Sequence, residues 1–258
     1  MIEKEVWGVD YERYAVGKLL KRFVKQYNIK KVLEIPAAGV KAMPSIYSLA
    51  LGEAGCEVTL VNADEKSKRI WSNLGFNVNF VDVIDITKTN FKNGEFDFVW
   101  NFAIFPELEN KIELLEEMKR VSKRYVGVFA VNGYNVGSYV HRFLHKLKKI
   151  PWTHGDKKLL YYPNLRDLFL KGSLRISKIG TVDTPPWPDS IGFRDLRLHR
   201  LKIDFNKINW ESNTIDYIKG KKYPFWIKLV YVFERIPMLF FVKLLYSHIY
   251  FVLGEKIT

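Results

Sequence analysis

Cysteine is almost absent from this sequence, since Cys56 is the single one among 258 residues. One cysteine excludes a disulfide framework and a cysteine-rich zinc site, and we expect no metal centre. Cys56 lies beside a predicted strand, so we expect a buried and unreactive thiol.

The sequence also lacks an apolar stretch that is long and uncharged enough to cross a membrane. A spanning helix needs about 20 predominantly apolar residues. Charges and one proline break every such window between Pro224 and Tyr246, so this region predicts two short helices that pack on the protein or lie in a membrane interface. The interrupting residues are Lys228, Glu234, Arg235, Pro237 and Lys243. The N-terminal MIEKEVWGVDYERY does not have the pattern of a signal peptide, which favours the cytoplasm, with peripheral membrane contact as an option.

Negative charge is scarce in the second half of the chain. Residues 1–133 hold 19 Lys and Arg against 18 Asp and Glu, whereas residues 134–258 hold 22 against 10. A basic surface fits nucleic acid, an anionic membrane or an acidic substrate, and an ordinary solvated surface rich in lysine fits equally well. Hydrophobic residues make up 48%, which is enough for a full core and excludes a disordered chain.

Short apolar runs alternate with amphipathic helical patterns through the first half. Such alternation is typical of a doubly wound, mostly parallel sheet with helices on both faces. The predicted strands are Val32–Ile35, Glu57–Val61, Asn77–Ile84, Phe96–Phe105 and Tyr125–Val131. The predicted helices are Tyr11–Tyr27, Ser45–Ala54, a helix capped by Asp64, and Asn110–Ser122.

The second half is less regular. We expect helices at Val136–Lys149 and Leu159–Leu170, and strands at Leu174–Val182, Leu196–Phe205 and Ser247–Leu253. Residues 1–183 and 247–258 are then the core domain, and residues 184–246 are an aromatic and basic insertion that selects the substrate or contacts a membrane. Three prolines exclude helix or central strand from Asp183 to Asp189, which is either a rigid pocket wall or a plain turn.

The bend after the first of these predicted strands carries almost no side chain. Pro36-Ala37-Ala38-Gly39 stands between Ile35 and the predicted helix at Ser45. A bend without bulk at the carboxyl end of a parallel strand allows a ligand to approach the backbone. Tight packing of helix against strand is the alternative interpretation.

The order of these motifs over residues 30–132 resembles the class I S-adenosylmethionine-dependent methyltransferases. In that family the first strand ends in an acidic residue before a glycine-rich loop, as Glu34 and PAAGV do here. The register from Asp85 to Asp97 matches the family's spacing between an adenine-binding Asp and the Phe-Asp that opens the fourth strand. The terminal SHIYFVLGEK also resembles the antiparallel last strand of the family.

The resemblance implies a seven-stranded sheet with an antiparallel last strand and S-adenosylmethionine as the cofactor. The cofactor-binding residues that it implies are Glu34, Pro36, Ala37, Ala38, Gly39, Asn62, Ala63, Asp85, Ile86, Asn101 and Phe102. Two features depart from the family: Gly39 is the one glycine left in the loop, and Asn62 replaces the usual ribose-binding carboxylate.

We therefore expect methyl transfer to a small or lipid-like acceptor. A general base for this reaction would follow the fifth strand, and the candidates are Tyr134 and His141, with His145 and His154 also in this region. Two alternatives remain open. One is an RNA methyltransferase that uses the basic second half, and the other is a cofactor-binding or scaffold protein that has lost catalysis. The sequence leaves the oligomeric state open.

Overall fold

A seven-stranded sheet forms the centre of the protein. The computed structural model describes residues 2–38, 44–150, 152, 155–187 and 209–257. In this part of the chain the strands are β1 (Ile2–Lys4), β2 (Lys31–Glu34), β3 (Glu57–Val61), β4 (Val78–Val81), β5 (Phe96–Phe102), β6 (Ser122–Val131), β7 (Leu174–Val182), β8 (Asn209–Glu211) and β9 (Ile249–Lys256).

The order of strands in the large sheet is β4-β3-β2-β5-β6-β9-β7. Strands β2 to β6 pair in parallel, and β9 pairs antiparallel with both β6 and β7. The prediction of a doubly wound, mostly parallel sheet with an antiparallel last strand is confirmed.

Helices cover both faces of this sheet. They are α1 (Trp7–Tyr27), α2 (Leu49–Glu53), α3 (Glu65–Leu74), α4 (Lys111–Val121), α5 (Val136–Leu147), α6 (Tyr162–Lys171), α7 (Asn213–Ile218), α8 (Phe225–Glu234) and α9 (Phe240–Tyr246), with 3₁₀ turns at Phe105–Glu107 and Lys157–Leu160. Within the described ranges, none of the helices combines the length and the apolar character that crossing a membrane requires.

Two apolar layers enclose the sheet. Helices α1 to α3 bury one set of side chains that includes Leu20 and Trp71, while α4 and α6 bury a second set that includes Met118 and Phe169. Each such side chain contributes about 1.5–3 kcal/mol on burial. Cys56 belongs to the first layer, and burial raises the pKa of its thiol to about 11, as expected for an unreactive cysteine.

The helix α3 begins and ends at residues that suit a helix terminus. The Asp64 carboxylate accepts a hydrogen bond from the Ser67 backbone N–H at 2.6 Å, which confirms the predicted cap. Gly75 ends the helix with φ 68°, a left-handed conformation that glycine adopts without steric cost.

Several predicted boundaries were wrong. The helix expected at Ser45–Ala54 covers only Leu49–Glu53. Strand β4 ends at Val81 instead of Ile84, because the Val83 backbone bonds to the side chain of Asn62 and not to a neighbouring strand. Strand β5 ends at Phe102, since Ala103 takes a φ of 62° that no strand continues.

Two further boundaries differ in the second half. The region expected as one helix at Leu159–Leu170 is a 3₁₀ turn followed by α6, whose first turn holds Pro163, a residue without the N–H that a continuous helix would need there. The last strand is Ile249–Lys256, shifted toward the C-terminus from the predicted Ser247–Leu253. The strand expected at Leu196–Phe205 lies outside the described residues.

The described part of the insertion, residues 184–187 and 209–246, packs against α1. Strand β8 pairs in parallel with β1 in a second, two-stranded sheet. The Tyr11 hydroxyl donates to the Glu234 carboxylate at 2.6 Å, and the Asn213 side chain donates to Asp10 at 2.7 Å. The Trp187 ring of the proline-rich segment contacts the Trp7 ring at a centroid distance of 4.4 Å.

Candidate active site

The residues predicted to bind the cofactor lie at one edge of the sheet. Strands β2, β3, β4 and β5 are parallel neighbours, so their carboxyl ends meet at the same edge. Glu34, Asn62 and Asn101 occupy or directly follow the ends of β2, β3 and β5, and Asp85 lies in the loop after β4. The topology thus brings the predicted residues together in one row.

Glu34 connects the end of β2 to the segment that follows the loop. Its buried carboxylate accepts hydrogen bonds from the Ser45 hydroxyl and, at 2.5 Å, from the Ser48 hydroxyl. Burial raises the pKa of Glu34, while the two serines and the charge of Arg13 oppose the rise. The Ser48 hydroxyl also accepts from the indole N–H of Trp100 at 3.1 Å. Glu34 therefore orients the chain on the far side of the loop.

The loop begins with buried backbone. Pro36 and Ala37 are buried, Ala38 is half-buried, and the Ala37 N–H donates to the Val61 carbonyl at 2.7 Å. The predicted residue Gly39, together with Val40, lies outside the described residues. The start of the loop is consequently held between β2 and β3, the two strands that flank the predicted nucleoside.

Asn101 connects the start of this loop to the turn after β5. Its buried amide nitrogen donates to the Ile35 carbonyl at 3.0 Å and to the Pro36 carbonyl at 3.3 Å. Its amide oxygen accepts from the Phe105 N–H at 2.8 Å. Both polar atoms of the amide thus bond to backbone groups, and they fix the distance between the start of the loop and the turn after β5.

The ribose and adenine positions have different surroundings. The half-buried Asn62 pairs both ends of its side chain with the Val83 backbone, at 2.8 and 3.0 Å. The exposed Asp85 accepts from the Thr87 N–H and hydroxyl, and these hydrogen bonds lower its pKa. Asp85 is therefore ionised at neutral pH, as a hydrogen-bond acceptor for an amino group must be. Of their predicted neighbours, Ala63 is buried and Ile86 is half-buried.

An aromatic stack connects β5 to α1. The Phe102 and Tyr47 rings stack at a centroid distance of 3.7 Å, and the Arg13 guanidinium lies 4.5 Å from the Tyr47 ring centroid. The Tyr47 hydroxyl donates to Glu12, and Arg13 Nη2 lies 3.4 Å from the Pro44 carbonyl oxygen. The start of α1 therefore lies beside the residues that follow the loop.

Charged side chains at the start of α1 are buried, and within the described residues they are only partly hydrogen-bonded. Arg13 and Glu5 form a buried ion pair at 2.7 Å. Among the residues that the structure describes, four buried atoms of this cluster have no hydrogen-bond partner: Arg13 Nε, Arg13 Nη1, Glu5 Oε2 and Asp10 Oδ1. Buried polar groups are nearly always paired, so unpaired donors and acceptors beside the loop indicate a zwitterionic ligand.

The charges of this cluster depend on one another. Burial opposes the charge of Arg13, but Glu5 outweighs it, and the pKa of Arg13 is raised. Burial raises the pKa of Asp10 to about 6, although the hydrogen bond from Asn213 works against this. The cluster therefore combines a permanent cation, Arg13, with one carboxylate, Asp10, whose charge changes near pH 6.

Residue periodicity does not reveal this cluster, because Tyr11–Tyr27 has the pattern of an ordinary amphipathic helix with a basic reverse face. A signal was present: Asp10, Glu12 and Arg13 stand in the first turns among apolar and aromatic neighbours, in WGVDYERYAVG. All three side chains are at least nine-tenths buried.

Tyr134 follows the carboxyl end of β6 and borders an apolar cavity. The cavity has a volume of about 330 Å³. Its lining is Tyr134, Tyr162, Phe241, Val242, Leu244 and Leu245. Burial, with smaller effects of Tyr162 and Tyr161, raises the pKa of Tyr134, so its hydroxyl is protonated at neutral pH.

His141 lies on α5, apart from that cavity's lining. Its Nε2 is 3.0 Å from the Nε2 of His145, so one nitrogen carries the proton between them. Both rings lie near Trp152. The other predicted histidine, His154, is outside the described residues. Among the described residues, no three His, Cys, Asp or Glu side chains are grouped closely enough to hold a metal ion.

Comparison with known proteins identifies a domain type and a fold. A family model described as a methyltransferase domain matches residues 38–128. The structure of YcgJ from Bacillus subtilis superposes with a TM-score of 0.55 at 14% identity, over 94% of this chain and 98% of that one. A SAM-dependent methyltransferase from Thermotoga maritima gives a TM-score of 0.53 at 12% identity, over 97% and 93%.

A third similar structure is titled a [4+2]-cyclase, SpnF, with a TM-score of 0.56 at 13% identity over 93% of this chain and 80% of that one. No curated protein matches the chain. At these identities the structural likeness establishes the fold.

Residues 38–128 therefore match a methyltransferase domain, and the chain has the Rossmann-like fold found in S-adenosylmethionine-dependent methyltransferases. The predicted resemblance is confirmed for this domain and for the fold, and S-adenosylmethionine is the cofactor that they indicate. The charged cluster at the start of α1 fits the methionine end of that cofactor, since this end carries a carboxylate and an ammonium. These groups complement the unpaired Arg13 donors and the unpaired acceptors of Glu5 and Asp10.

Proposed function

We propose that the protein transfers a methyl group from S-adenosylmethionine to a small amphiphilic or lipid-like acceptor. The observation that carries this proposal is the apolar cavity beside Tyr134. Its walls come from α9, from the loop after β6 and from the first residue of α6, and its polar groups are two tyrosine hydroxyls. A cavity of this composition suits an acceptor that is mostly hydrocarbon with one polar end.

The chain's own residues have few tasks in this reaction. The bound cofactor supplies the electrophilic methyl group on a sulfonium. The protein must align the acceptor with that group and exclude water from it. Because Tyr134 is protonated, it serves as a donor that orients the polar end of the acceptor, and it is unsuited to take a proton.

His141 stays a predicted base. It pairs with His145 on α5, apart from the lining of the cavity, so the proposed acceptor site does not depend on it. On the cofactor side, we propose that Arg13 binds the carboxylate of the methionine part. Asp85 and Asn62 remain the proposed contacts to the adenine and the ribose. The insertion, residues 184–246, is proposed as the lid that shapes the acceptor pocket through α9.

A transfer assay with methyl-labelled S-adenosylmethionine tests the proposal. The labelled cofactor is incubated with separate pools of lipid extract, RNA and polar metabolites, and label is expected in the lipid fraction. Val242→Trp should fill the cavity and abolish transfer while leaving cofactor affinity within about twofold, because Val242 lines the cavity and not the sheet edge. Leu229→Trp, on the exposed face of α8, is the matched control.

Three results would count against this function. Calorimetry that detects no cofactor binding at millimolar concentration would remove every enzymatic interpretation. Label in the RNA pool would favour the RNA methyltransferase. Cofactor binding without transfer to any pool would favour a protein that has lost methyl transfer, and the cyclase with the same fold shows that this fold also occurs in proteins named for another reaction.

A further inference from the structure

The helix α5 presents its apolar side chains outward. Val136, Tyr139, Val140, Phe143 and Leu147 recur at helical spacing and are all exposed, Phe143 by 62%. The buried residues of α5 are Gly137, Ser138 and His145, which are small or polar. A helix on a globular protein normally buries its apolar stripe, so this inverted arrangement indicates a partner outside the chain.

Helices α8 and α9 have the same character. Phe225, Leu229, Val232 and Ile236 form an exposed stripe along α8 and its C-terminal turn. Leu239, at 77% exposure, Phe241, Val242 and Leu245 continue it along α9. Together with α5, these two helices hold most of the large apolar side chains that are exposed in the described part of the chain.

Helix α9 links the other two helices, since it contacts the start of α5 and directly follows α8. The Asn135 side chain caps α5 by accepting from the Gly137 N–H, and its amide nitrogen donates to the Tyr246 carbonyl at the end of α9. The apolar cavity beside Tyr134 lies at this junction. Helices α8 and α9 are joined by residues 235–239. We call the outward apolar residues of α5, α8 and α9 the docking surface.

A basic groove borders the docking surface. It has a volume of about 450 Å³ and is lined by four cationic side chains, Arg22, Lys178, Arg235 and Lys243, together with the α8 and α9 residues Tyr231 and Phe240. The carboxylate of Glu234, the acidic residue in the lining, faces Tyr11 and the backbone of Asp183 and Thr184 instead. Within the described residues, no acidic side chain forms an ion pair with these four cations.

The apolar docking surface and the basic groove together indicate which kind of partner binds here. Apolar side chains on short helices, beside cations that form no ion pair within the described residues, match the acyl and headgroup layers of an anionic bilayer. RNA would leave the apolar stripes uncovered, and a second copy of this chain would place its own basic groove against this one. The excess of positive charge in residues 134–258 points the same way.

We propose that the docking surface binds the surface of an anionic lipid membrane, with the basic groove receiving a lipid phosphate. The binding does not depend on methyl transfer, and the lipid-like acceptor of the proposed function would enter the apolar cavity from that membrane. Failure of one proposal is therefore distinguishable from failure of the other.

Co-sedimentation of the full chain with vesicles tests the proposal. Vesicles of phosphatidylcholine alone are compared with vesicles that also contain phosphatidylglycerol. Wild type should pellet with the anionic vesicles and bind the neutral ones at least about tenfold more weakly. Phe143→Glu and Leu239→Glu should each reduce binding by at least about tenfold, because each removes an inserted side chain and adds a repelled charge. Arg235→Glu should remove the preference for anionic lipid.

Ile84→Glu is the matched control, because Ile84 is a fully exposed apolar residue next to the edge strand β4, outside the docking surface. It should bind like wild type. All these positions are exposed, so the melting temperatures should agree, and circular dichroism checks this. Wild type that stays in the supernatant with both vesicle types overturns the proposal. So does sedimentation velocity that shows a dimer which Leu239→Glu dissociates, since the surface would then be a subunit interface.

Discussion

The hydroxyl of Tyr11 donates a 2.6 Å hydrogen bond to the Glu234 carboxylate, across 223 residues of sequence. Both side chains are buried, and Glu234 also accepts from the backbone N–H groups of Asp183 and Thr184. One carboxylate therefore joins α1, the end of β7 and the insertion helix α8. The consequence is that the insertion belongs to the same cooperative unit as the sheet.

Tyr11→Phe is expected to lower the free energy of unfolding by about 2 kcal/mol, because a buried carboxylate loses a hydrogen-bond donor. Glu234→Gln replaces one carboxylate oxygen with an NH₂ group, which then faces hydrogen-bond donors. We expect a similar loss in the free energy of unfolding. Urea denaturation measures the two single variants and the double variant. The loss in the free energy of unfolding of the double variant should be well below the sum of the two single losses. Tyr14→Phe on the same helix is the control and should change stability by less than about 0.5 kcal/mol. Additive costs would show that the two groups are not coupled.

Asp10 should make the protein less stable as the pH rises from about 4 to about 7. Its pKa is raised from 3.8 to about 6, so the folded state holds its proton more tightly than the unfolded state does. The stabilisation is full below pH 4 and is lost as the pH passes 6. At about 1.4 kcal/mol per pKa unit, the loss is roughly 3 kcal/mol.

Asp10→Asn keeps an acceptor for Asn213 but cannot ionise. Denaturation at a series of pH values should show equal stabilities of the variant and wild type near pH 4, and a more stable variant near pH 7. Asp216→Asn, at an exposed position of α7, should show no such trend. A constant difference between Asp10→Asn and wild type at every pH would contradict the shifted pKa.

Arg13→Lys should weaken binding only of ligands that carry the methionine carboxylate. The variant keeps the charge beside Glu5 but loses the unpaired Nε and Nη1 donors. We expect the Kd of S-adenosylhomocysteine to rise at least about tenfold, the value of one or two charge-assisted hydrogen bonds. The Kd of 5′-methylthioadenosine, which has no carboxylate, should change by less than about twofold.

Calorimetry with both ligands separates recognition from damage to the site. Arg22→Lys, the same substitution further along α1, is the control and should leave both affinities unchanged. An equal loss for the two ligands would mean that Arg13 acts by positioning Tyr47 and not by binding the carboxylate.

Asn101→Asp should damage both stability and cofactor affinity. The substitution places an oxygen against the carbonyl groups of Ile35 and Pro36, which now accept from the amide nitrogen. We expect a loss of about 3 kcal/mol in the free energy of unfolding, from two lost hydrogen bonds and the repulsion that replaces them. The midpoint of urea denaturation and the Kd for S-adenosylmethionine measure the two effects. Asn90→Asp, in an exposed loop, should leave both unchanged.

Much of the sheet could be predicted because its strands are local apolar runs. Glu57–Val61 and Leu174–Val182 match their predicted bounds, and Asp64 caps its helix as expected. The ends of β4 and β5 could not be predicted, because the Asn62 amide and the left-handed Ala103 end them, and neither interaction follows from apolar periodicity.

The residues at the sheet edge could be placed through the family resemblance, but the buried charges of α1 could not. Arg13 contacts Glu5, Pro44 and Tyr47. Its environment therefore depends on tertiary contacts, which the local sequence of α1 does not show. Strands β1 and β8 are three residues each, too short for a periodic pattern, and they pair across nearly the whole chain.

The contacts between α1 and the insertion affect the order of events during synthesis. Helix α1 leaves the ribosome long before residues 209–234, which hold the partners of β1, Asp10 and Tyr11. Until those residues emerge, the nascent chain holds a helix whose aromatic and carboxyl groups lack their final surroundings. Domains that must wait for distant partners are more exposed to aggregation and to chaperones. A stalled chain that ends before residue 209 is therefore expected to be a substrate for quality control, even though it contains six of the seven central strands.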